Sequence, residues 1–359
     1  MDYTHSRYYN PALTGLTQIT HSVDQLLKVI TYLPENEQQQ LVDCCFYAAE
    51  AHKADIRSSG EPFICHPIKV AEILAREVQF DLTVLQAGVL HDVVEDTAVS
   101  KSDITEIFGQ EIADLVDGVT KLKKEKGMSR QELQAQTFKK LAIAMEEDPR
   151  VVMIKFADRV HNMQTISALK VDRQIAIAKE TLEVYAPIAE RLGMSVFKNT
   201  LEELAFRTLH PLRSKLINSF IDQTHARRED EFLAVQEKLT QIFQTVGINA
   251  HVRKRRRSAC TIHNKMKAGK ANKKSLQNAG LPLIVITETR DECYRVLGII
   301  HELYKPIASK LKDYIALNKS NGYQSIHTTV LSKNRALNFQ IRTRDMHTVA
   351  ESGIIALWR

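Results

Sequence analysis

The sequence predicts an all-α domain followed by a smaller α+β domain. Three observations carry this. From Ser22 to about residue 210 apolar residues recur with helical spacing, and strand-like alternation is nearly absent. After about Ala226 the character changes to a helix followed by short β-type runs with helical segments between and after them. The 359 residues, 44% hydrophobic and 26% charged, suffice for two domains with real cores and argue against global disorder.

Residues 1–21 show no periodicity and read as a loose N-terminal arm. Ser22 is a capping-type residue ahead of the apolar stripe Leu26, Leu27, Val29, Ile30 and Leu33. Pro67 sits near the start of a helix carrying Ile68, Val70, Ala71, Ile73 and Leu74, where its missing N–H costs little. Further helical patterns cover about 81–92, 103–117, 129–147, 150–166, 172–191 and 198–208. The all-α domain is placed at 22–200 and a helical linker at 201–228. The α+β domain, 229–345, opens with a helix over Glu229 to Gln244, then β-type runs at Asn249–Arg253, Leu281–Thr287, Tyr323–Leu331 and Ala336–Arg342. Helical segments at about 291–304 and 345–357 complete it. Residues 346–359 read as the start of a connection, and the helical pattern running into Trp358-Arg359 suggests a segment cut from a longer protein.

Several function classes are set aside by composition. No window approaches 18 consecutive apolar residues, and the first residues lack the basic-then-apolar order of a secretory signal. The five cysteines include an adjacent pair, Cys44-Cys45, and no C-x-x-C, so they read as reduced thiols of a cytoplasmic protein. The net charge of +6 is local: ten Lys or Arg and no acid lie between His251 and Lys274, so the remainder is net negative. There is no G-x-G-x-x-G and no Walker A, and His301-Glu302 lacks the second histidine of a zincin because Lys305 stands in its place.

The chemistry concentrates in the first domain. Leu90-His91-Asp92 closes an apolar helix, and adjacent imidazole and carboxylate at a helix end can turn toward one borderline metal. His66, just ahead of another helix, offers a second nitrogen. Asp158 lies on a helix where Lys155, Asp158, Asn162 and Thr165 share one face. The spaced set His66, His91, Asp92 and Asp158 is the pattern of a single-metal phosphohydrolase of the HD type. Glu95 and Asp96 follow Asp92 by one turn and could accept a proton from a water acidified there; an acidic first turn favoured by the helix dipole is the bland alternative. Arg57-Ser58-Ser59-Gly60-Glu61-Pro62 is a turn whose Arg57 and hydroxyls suit phosphate.

These residues, with Gly118-Val-Thr-Lys-Leu122, Phe156-Ala-Asp-Arg-Val-His-Asn-Met163 and Tyr185-Ala-Pro-Ile-Ala-Glu-Arg-Leu-Gly193, closely resemble the hydrolase domain of RelA/SpoT homologues over about residues 22–210. The resemblance implies an HD-type domain that removes the 3′-pyrophosphate of ppGpp or pppGpp with Mn2+. It places the metal on His66, His91, Asp92 and Asp158, the catalytic acids on Glu95 and Asp96, and substrate-side positions on Asn162 and Thr165; Arg57 and Ser59 are expected at the phosphates. Gln164 departs from the arginine usual after Asn-Met.

The second half resembles the family's nucleotidyltransferase-like synthetase unevenly. Asp291-Glu-Cys-Tyr-Arg-Val-Leu-Gly298, Lys312-Asp-Tyr-Ile-Ala316, Asn321-Gly-Tyr-Gln-Ser-Ile-His-Thr328 and Phe339-Gln-Ile-Arg-Thr343 match. Gln277 and Pro282 stand where the family has a metal-binding Asp and an Arg, Asn338 replaces its second acid, and Ser309-Lys310 replaces Gly-Arg. Pyrophosphoryl transfer needs carboxylates to hold Mg2+ against the triphosphate, so synthetase activity is expected to be lost. Lys312, Tyr323 and His327 are expected to form a vestigial nucleotide subsite or to persist as packing. The basic stretch 253–274, expected as a mobile connection, lacks the interleaved aromatics of a single-strand platform, and no direct nucleic-acid partner is expected. The resemblance further implies regulatory partners acting through a C-terminal region. Rival readings are a bifunctional synthetase/hydrolase and a catalytically quiet nucleotide sensor.

Overall fold

The computed structural model describes residues 3–120, 136, 139, 142–269, 280–319, 321–333 and 335–353. Gln277, residues 121–122 of the Gly118 motif, and parts of the expected elements at 129–147, 253–274 and 345–357 lie outside them. The chain divides into two compact units, Met1–Gln174 and Ile175–Trp358.

The first unit is helical: α1 (Leu16–Leu27), α2 (Glu35–Ala51), α3 (Cys65–Val78), α4 (Leu82–Leu90), the single turn α5 (Val93–Asp96), α6 (Lys101–Phe108), α7 (Gln110–Val119) and α8 (Arg150–Gln164). Asp81 caps α4 by accepting the Val84 amide at 3.1 Å. From Val84 to Leu90 every residue of α4 is buried, the signature of a helix enclosed on all sides. It packs on α2, α3, α7 and α8, and α3 packs on α8. Gly88 permits the α3–α4 approach, because a Cβ there would stand 2.9 Å from Leu74 Cδ1.

Two expectations for this unit are corrected. The N-terminal arm is not loose: α1 starts at Leu16 rather than Ser22, and Tyr3 and Leu13 are buried. Tyr3 and Tyr9 meet Phe46, and Tyr8 meets Tyr47, so single aromatic anchors hold a segment that has no periodic face. The pattern at 103–117 is two helices, since Gly109 at φ 93° breaks the chain and Ser100 with Asp103 forms a capping box on the first.

The second unit begins within α9 (Val171–Glu180) and continues through a π-type turn, Thr181–Tyr185, into α10 (Ala186–Arg191). Pro187 follows that wide turn at once and cannot donate to the i−4 carbonyl. Helices α11 (Ser195–Leu209), α12 (Pro211–Ala226) and α13 (Glu229–Thr245) lead to a six-stranded sheet with β1 (His251–Lys254), β2 (Leu281–Thr287), β3 (Lys305–Pro306), β4 (Lys312–Asp313), β5 (Ile326–Ser332) and β6 (Arg335–Thr343). The order is β1-β2-β6-β5-β3 with β4 also on β5; β2 and β6 run parallel and the other pairs antiparallel. Its core joins Phe232, Leu239 and Phe243 of α13 and Val296 and Ile300 of α15 (Arg290–Leu303) to Val285, Phe339 and Ile341 of the sheet. Helix α16 is Arg344–Ser352.

The basic stretch is not a mobile connection over its described part. After β1 it forms α14 (Ala259–Lys267), capped by Ser258, with Ala259, Cys260 and Ile262 packed against Phe206 and Ile221. Tyr323 lies ahead of β5 rather than in it, because Gly322 at φ 74° ends a turn there.

Candidate metal centre

His66 enters from the first turn of α3, and His91 and Asp92 form the junction between α4 and α5. All three are buried, and one donor atom from each lies within 4.8 Å of the others. Asp158, on α8, is outside that mutual group but reaches it through His66, whose Nε2 is 3.3 Å from Asp158 Oδ1 and 3.6 Å from Asp92 Oδ2. His91 Nε2 is 3.0 Å from Asp92 Oδ2 yet off the hydrogen-bond line, and this buried nitrogen has no hydrogen-bond partner.

The donor chemistry fits a divalent cation. His91 Nδ1 is 2.8 Å from Gly88 O, a group that only accepts, so Nδ1 carries the proton and Nε2 of the neutral ring carries a lone pair. That nitrogen faces Asp92 Oδ2 across 3.0 Å, so a cation shared between them, a proton or a metal ion, is favoured there. Burial pushes Asp92 up, but neighbouring His91 more than offsets it and holds the carboxyl below its usual range. Burial likewise pushes Asp158 up, but Lys155, 3.0 Å from Oδ2, together with His66 and His91 outweighs it and keeps the carboxylate charged. Burial lowers His66, while beside Asp92 the His91 ring is raised despite its burial. Imidazole with carboxylate is a donor set for Mn, Fe, Co or Zn.

Around this centre the expected substrate residues form one hydrogen-bonded group. The Arg57 loop is closed by Arg57 N to Glu61 O at 3.0 Å and by a bridge between Ile56 and Pro62. Arg57 donates to Asn162 Oδ1 at 3.0 Å and approaches Thr165 Oγ1 and His161 Nδ1 at 3.5 Å. The Asn162 amide in turn donates to Asp158 Oδ1. Arg57 is thereby linked to a predicted metal ligand through one side chain. Ser59 is not brought into this group: it is exposed at the loop tip, its hydroxyl donating to Glu61 at 3.2 Å. Glu95, half-buried, and Asp96, exposed, sit on α5 with both amides donating to Asp92 O.

Two further residues belong to this centre that sequence reasoning alone does not assign. Lys155 shares the helix face of Asp158. His161 is 7% exposed, its Nδ1 is 2.6 Å from His66 Nδ1, and burial lowers its pKa to about 3. Its spacing, three residues after Asp158 and four before Thr165, is the signal that could have found it.

In the second unit Lys312, Tyr323 and His327 do come together. Lys312 pairs with His327 across β4 and β5, and Tyr323 Oη is 2.7 Å from His327 Nε2. Burial, with Lys319 and Arg255 nearby, lowers His327 to about 4. The Lys319 ammonium lies 5.0 Å from the Tyr323 ring centre. Pro282 and Asn338 are direct partners on β2 and β6. Beside them is a cleft of about 970 Å³ bordered by Arg207, Arg255, Arg256 and Lys265. Asn338 is engaged with the protein itself, accepting from Thr329 Oγ1 at 3.0 Å and donating to Gly280 O at 3.3 Å.

Comparison with known proteins agrees with both halves. A family model described as an HD domain matches residues 44–195, and one described as a region found in RelA/SpoT proteins matches residues 254–359. The guanosine-3′,5′-bis(diphosphate) 3′-pyrophosphohydrolase of Vibrio cholerae is 43% identical over 328 residues, 91% of this chain and 46% of that protein. The bifunctional (p)ppGpp synthase/hydrolase SpoT of Escherichia coli K12 is 41% identical over 338 residues, covering 94% and 48%. The GTP pyrophosphokinase of Myxococcus xanthus is 37% identical over 335 residues, covering 92% and 44%. The chain thus spans about half the length of these curated relatives. With an HD domain followed by a RelA/SpoT region, and this identity along nearly its whole length, the chain belongs to the RelA/SpoT homologue family.

Proposed function

We propose that this chain hydrolyses the 3′-pyrophosphate of ppGpp and pppGpp, giving GDP or GTP and pyrophosphate, with Mn2+ at the His66, His91, Asp92 and Asp158 site. The observation that carries the reading is the buried His66–His91–Asp92 group, with its partnerless His91 Nε2, at the centre of an HD domain. A divalent cation held there would supply Lewis acidity, making a water molecule more acidic and offsetting the charge that builds on the phosphoryl oxygens as the bond to the ribose 3′ oxygen breaks. One of the two carboxylates Glu95 and Asp96 takes the proton of the attacking water, and that proton is returned to the departing ribose 3′ oxygen, giving GDP or GTP. Arg57 presents a planar fork to phosphate oxygens, and its bond to Asn162 ties that contact to Asp158. Asn162 and Thr165 position the substrate, and Ser59 contributes from the loop tip.

Synthetase activity is absent in this reading. Neutral Asn338 stands at one acidic position with both ends of its amide used by the protein, and neutral Gln277 stands at the other. The same reading places the protein in the cytoplasm, with regulatory partners on the part of its relatives' length that this chain does not span. Among the described residues no helix is long and apolar enough to cross a membrane.

The test is pyrophosphate release from ppGpp by the purified chain with Mn2+. His91→Ala and Asp92→Ala should each reduce it to background, and an unimpaired Asp92→Ala enzyme would sink the mechanism. Formation of ppGpp from ATP and GDP with Mg2+ would overturn the loss of the synthetase.

A further inference from the structure

His66 and His161 meet in an unusual way. Their Nδ1 atoms are 2.6 Å apart, their ring centres 4.9 Å, and their planes differ by 25°. The centre-to-centre separation exceeds the nitrogen separation by about two ring radii, so the rings meet edge to edge in nearly one plane. That is hydrogen-bond geometry rather than face stacking, and it needs one proton between the two nitrogens. A neutral imidazole offers one donor and one acceptor nitrogen.

Which ring carries the proton is decided by a third group. Arg57 directs a guanidinium N–H at His161 Nδ1 from 3.5 Å, and a guanidinium donates but never accepts. A proton on His161 Nδ1 would face that N–H, so His161 Nδ1 keeps its one lone pair, directed at His66, and the shared proton belongs to His66 Nδ1. The neutral His66 ring is left with its lone pair on Nε2, 3.3 Å from Asp158 Oδ1 and 3.6 Å from Asp92 Oδ2. With the opposite tautomer an Nε2–H would point into the space a cation needs and would bond to a carboxylate instead. At His91 the same service is done by the Gly88 carbonyl. His66 lies in the first turn of α3, where no carbonyl of its own helix is one turn behind it, and a side chain 95 residues away takes that part.

We infer that His161 is a positioning residue: it holds His66 in the Nδ1–H tautomer and thereby sets the affinity of the centre for a divalent cation. The inference rests on the metal reading above and concerns the empty protein as much as the loaded one. Outer partners of ligating histidines are typically worth about 10- to 100-fold in metal affinity.

The experiment is calorimetric titration of the metal-free chain with Mn2+ alone, alongside long-range 1H–15N spectra of its imidazoles. His161→Phe keeps a ring but removes the acceptor; His161→Asn restores an acceptor oxygen near the Nδ1 position. Wild type should show His66 protonated at Nδ1. His161→Phe should bind Mn2+ about 10- to 100-fold more weakly with the His66 proton moved to Nε2, and His161→Asn should recover most of the affinity. Equal Mn2+ affinity in wild type and His161→Phe overturns the inference and leaves the metal site standing. Wild type that binds no Mn2+ removes the metal reading and the inference together. Should His161→Phe fail to fold, the wild-type spectrum still decides, because His66 protonated at Nε2 in the metal-free protein is incompatible with the assigned role.

Discussion

At the scale of single residues, the candidate centre is a problem of buried negative charge. Asp92 and Asp158 are buried near two imidazoles, and the Lys155 ammonium lies 3.0 Å from Asp158 Oδ2 and is itself 6% exposed. Removing one partner of a buried pair leaves the other desolvated and uncompensated, at a cost of about 3 kcal/mol. Lys155→Met should therefore destabilise the metal-free protein by about that amount in urea unfolding. Saturating Mn2+ should recover much of the deficit, because the cation itself neutralises Asp158. A deficit that is the same with and without Mn2+ would mean Lys155 acts through packing. This is also where sequence reading reached its limit. Helical spacing put Lys155, Asp158, Asn162 and Thr165 on one face, and the structure keeps Asp158, Asn162 and Thr165 within reach of Arg57 or His66. What spacing cannot express is tautomer and direction. Nothing in the letters says that His161 meets His66 nitrogen to nitrogen, since that depends on how α8 and the start of α3 are pressed together.

At the scale of elements, strands and long helices were legible because each has a periodic face. Leu281–Thr287 and the helices near 229–244 and 291–304 come out within a residue or two of expectation. The failures have physical causes. The first twenty residues are held by separate tyrosines, and α6 and α7 share a continuous apolar pattern interrupted only by Gly109. The basic stretch hid a helix because its stabiliser is remote: Glu203 of α11 accepts from Ser258 Oγ at 3.1 Å and from the amides of Ala259 at 3.0 Å and Cys260 at 3.4 Å. A carboxylate over the first free N–H groups of α14 satisfies donors that the helix cannot and opposes its dipole. Glu203→Ala should cost about 1–2 kcal/mol, the upper part of the range for a lost cap. Hydrogen exchange should quicken at Ala259 and Cys260 while β2 and β6 are unaffected. Unchanged exchange at those two amides would show that the Ser258 cap alone suffices.

At the scale of the whole molecule, the two units divide the chemistry. Each proposed hydrolase residue from Arg57 to Thr165 lies within Met1–Gln174, while the Ile175–Trp358 unit has its own core around Phe243, Val285 and Phe339. A ligand that binds only the folded form stabilises whatever must unfold to release it, by about 2.7 kcal/mol at a hundredfold excess over its dissociation constant. Mn2+ at that excess should therefore slow exchange of the most protected amides in α3, α4 and α8 by up to about 100-fold. Amides that exchange by local fraying at helix ends should not respond, since their opening leaves the ligands in place. The central strands β2 and β6 of the second unit should keep their rates, because no ligand of the centre resides there. Asp92→Ala is the control, and in it Mn2+ should slow nothing. If β2 and β6 slow as much as α3 and α4, the chain opens in one cooperative step and stability gained at the metal is spent across both units. If only α3, α4 and α8 slow, the proposed centre draws on the stability of its own unit alone, and the second unit folds and unfolds independently of what is bound there.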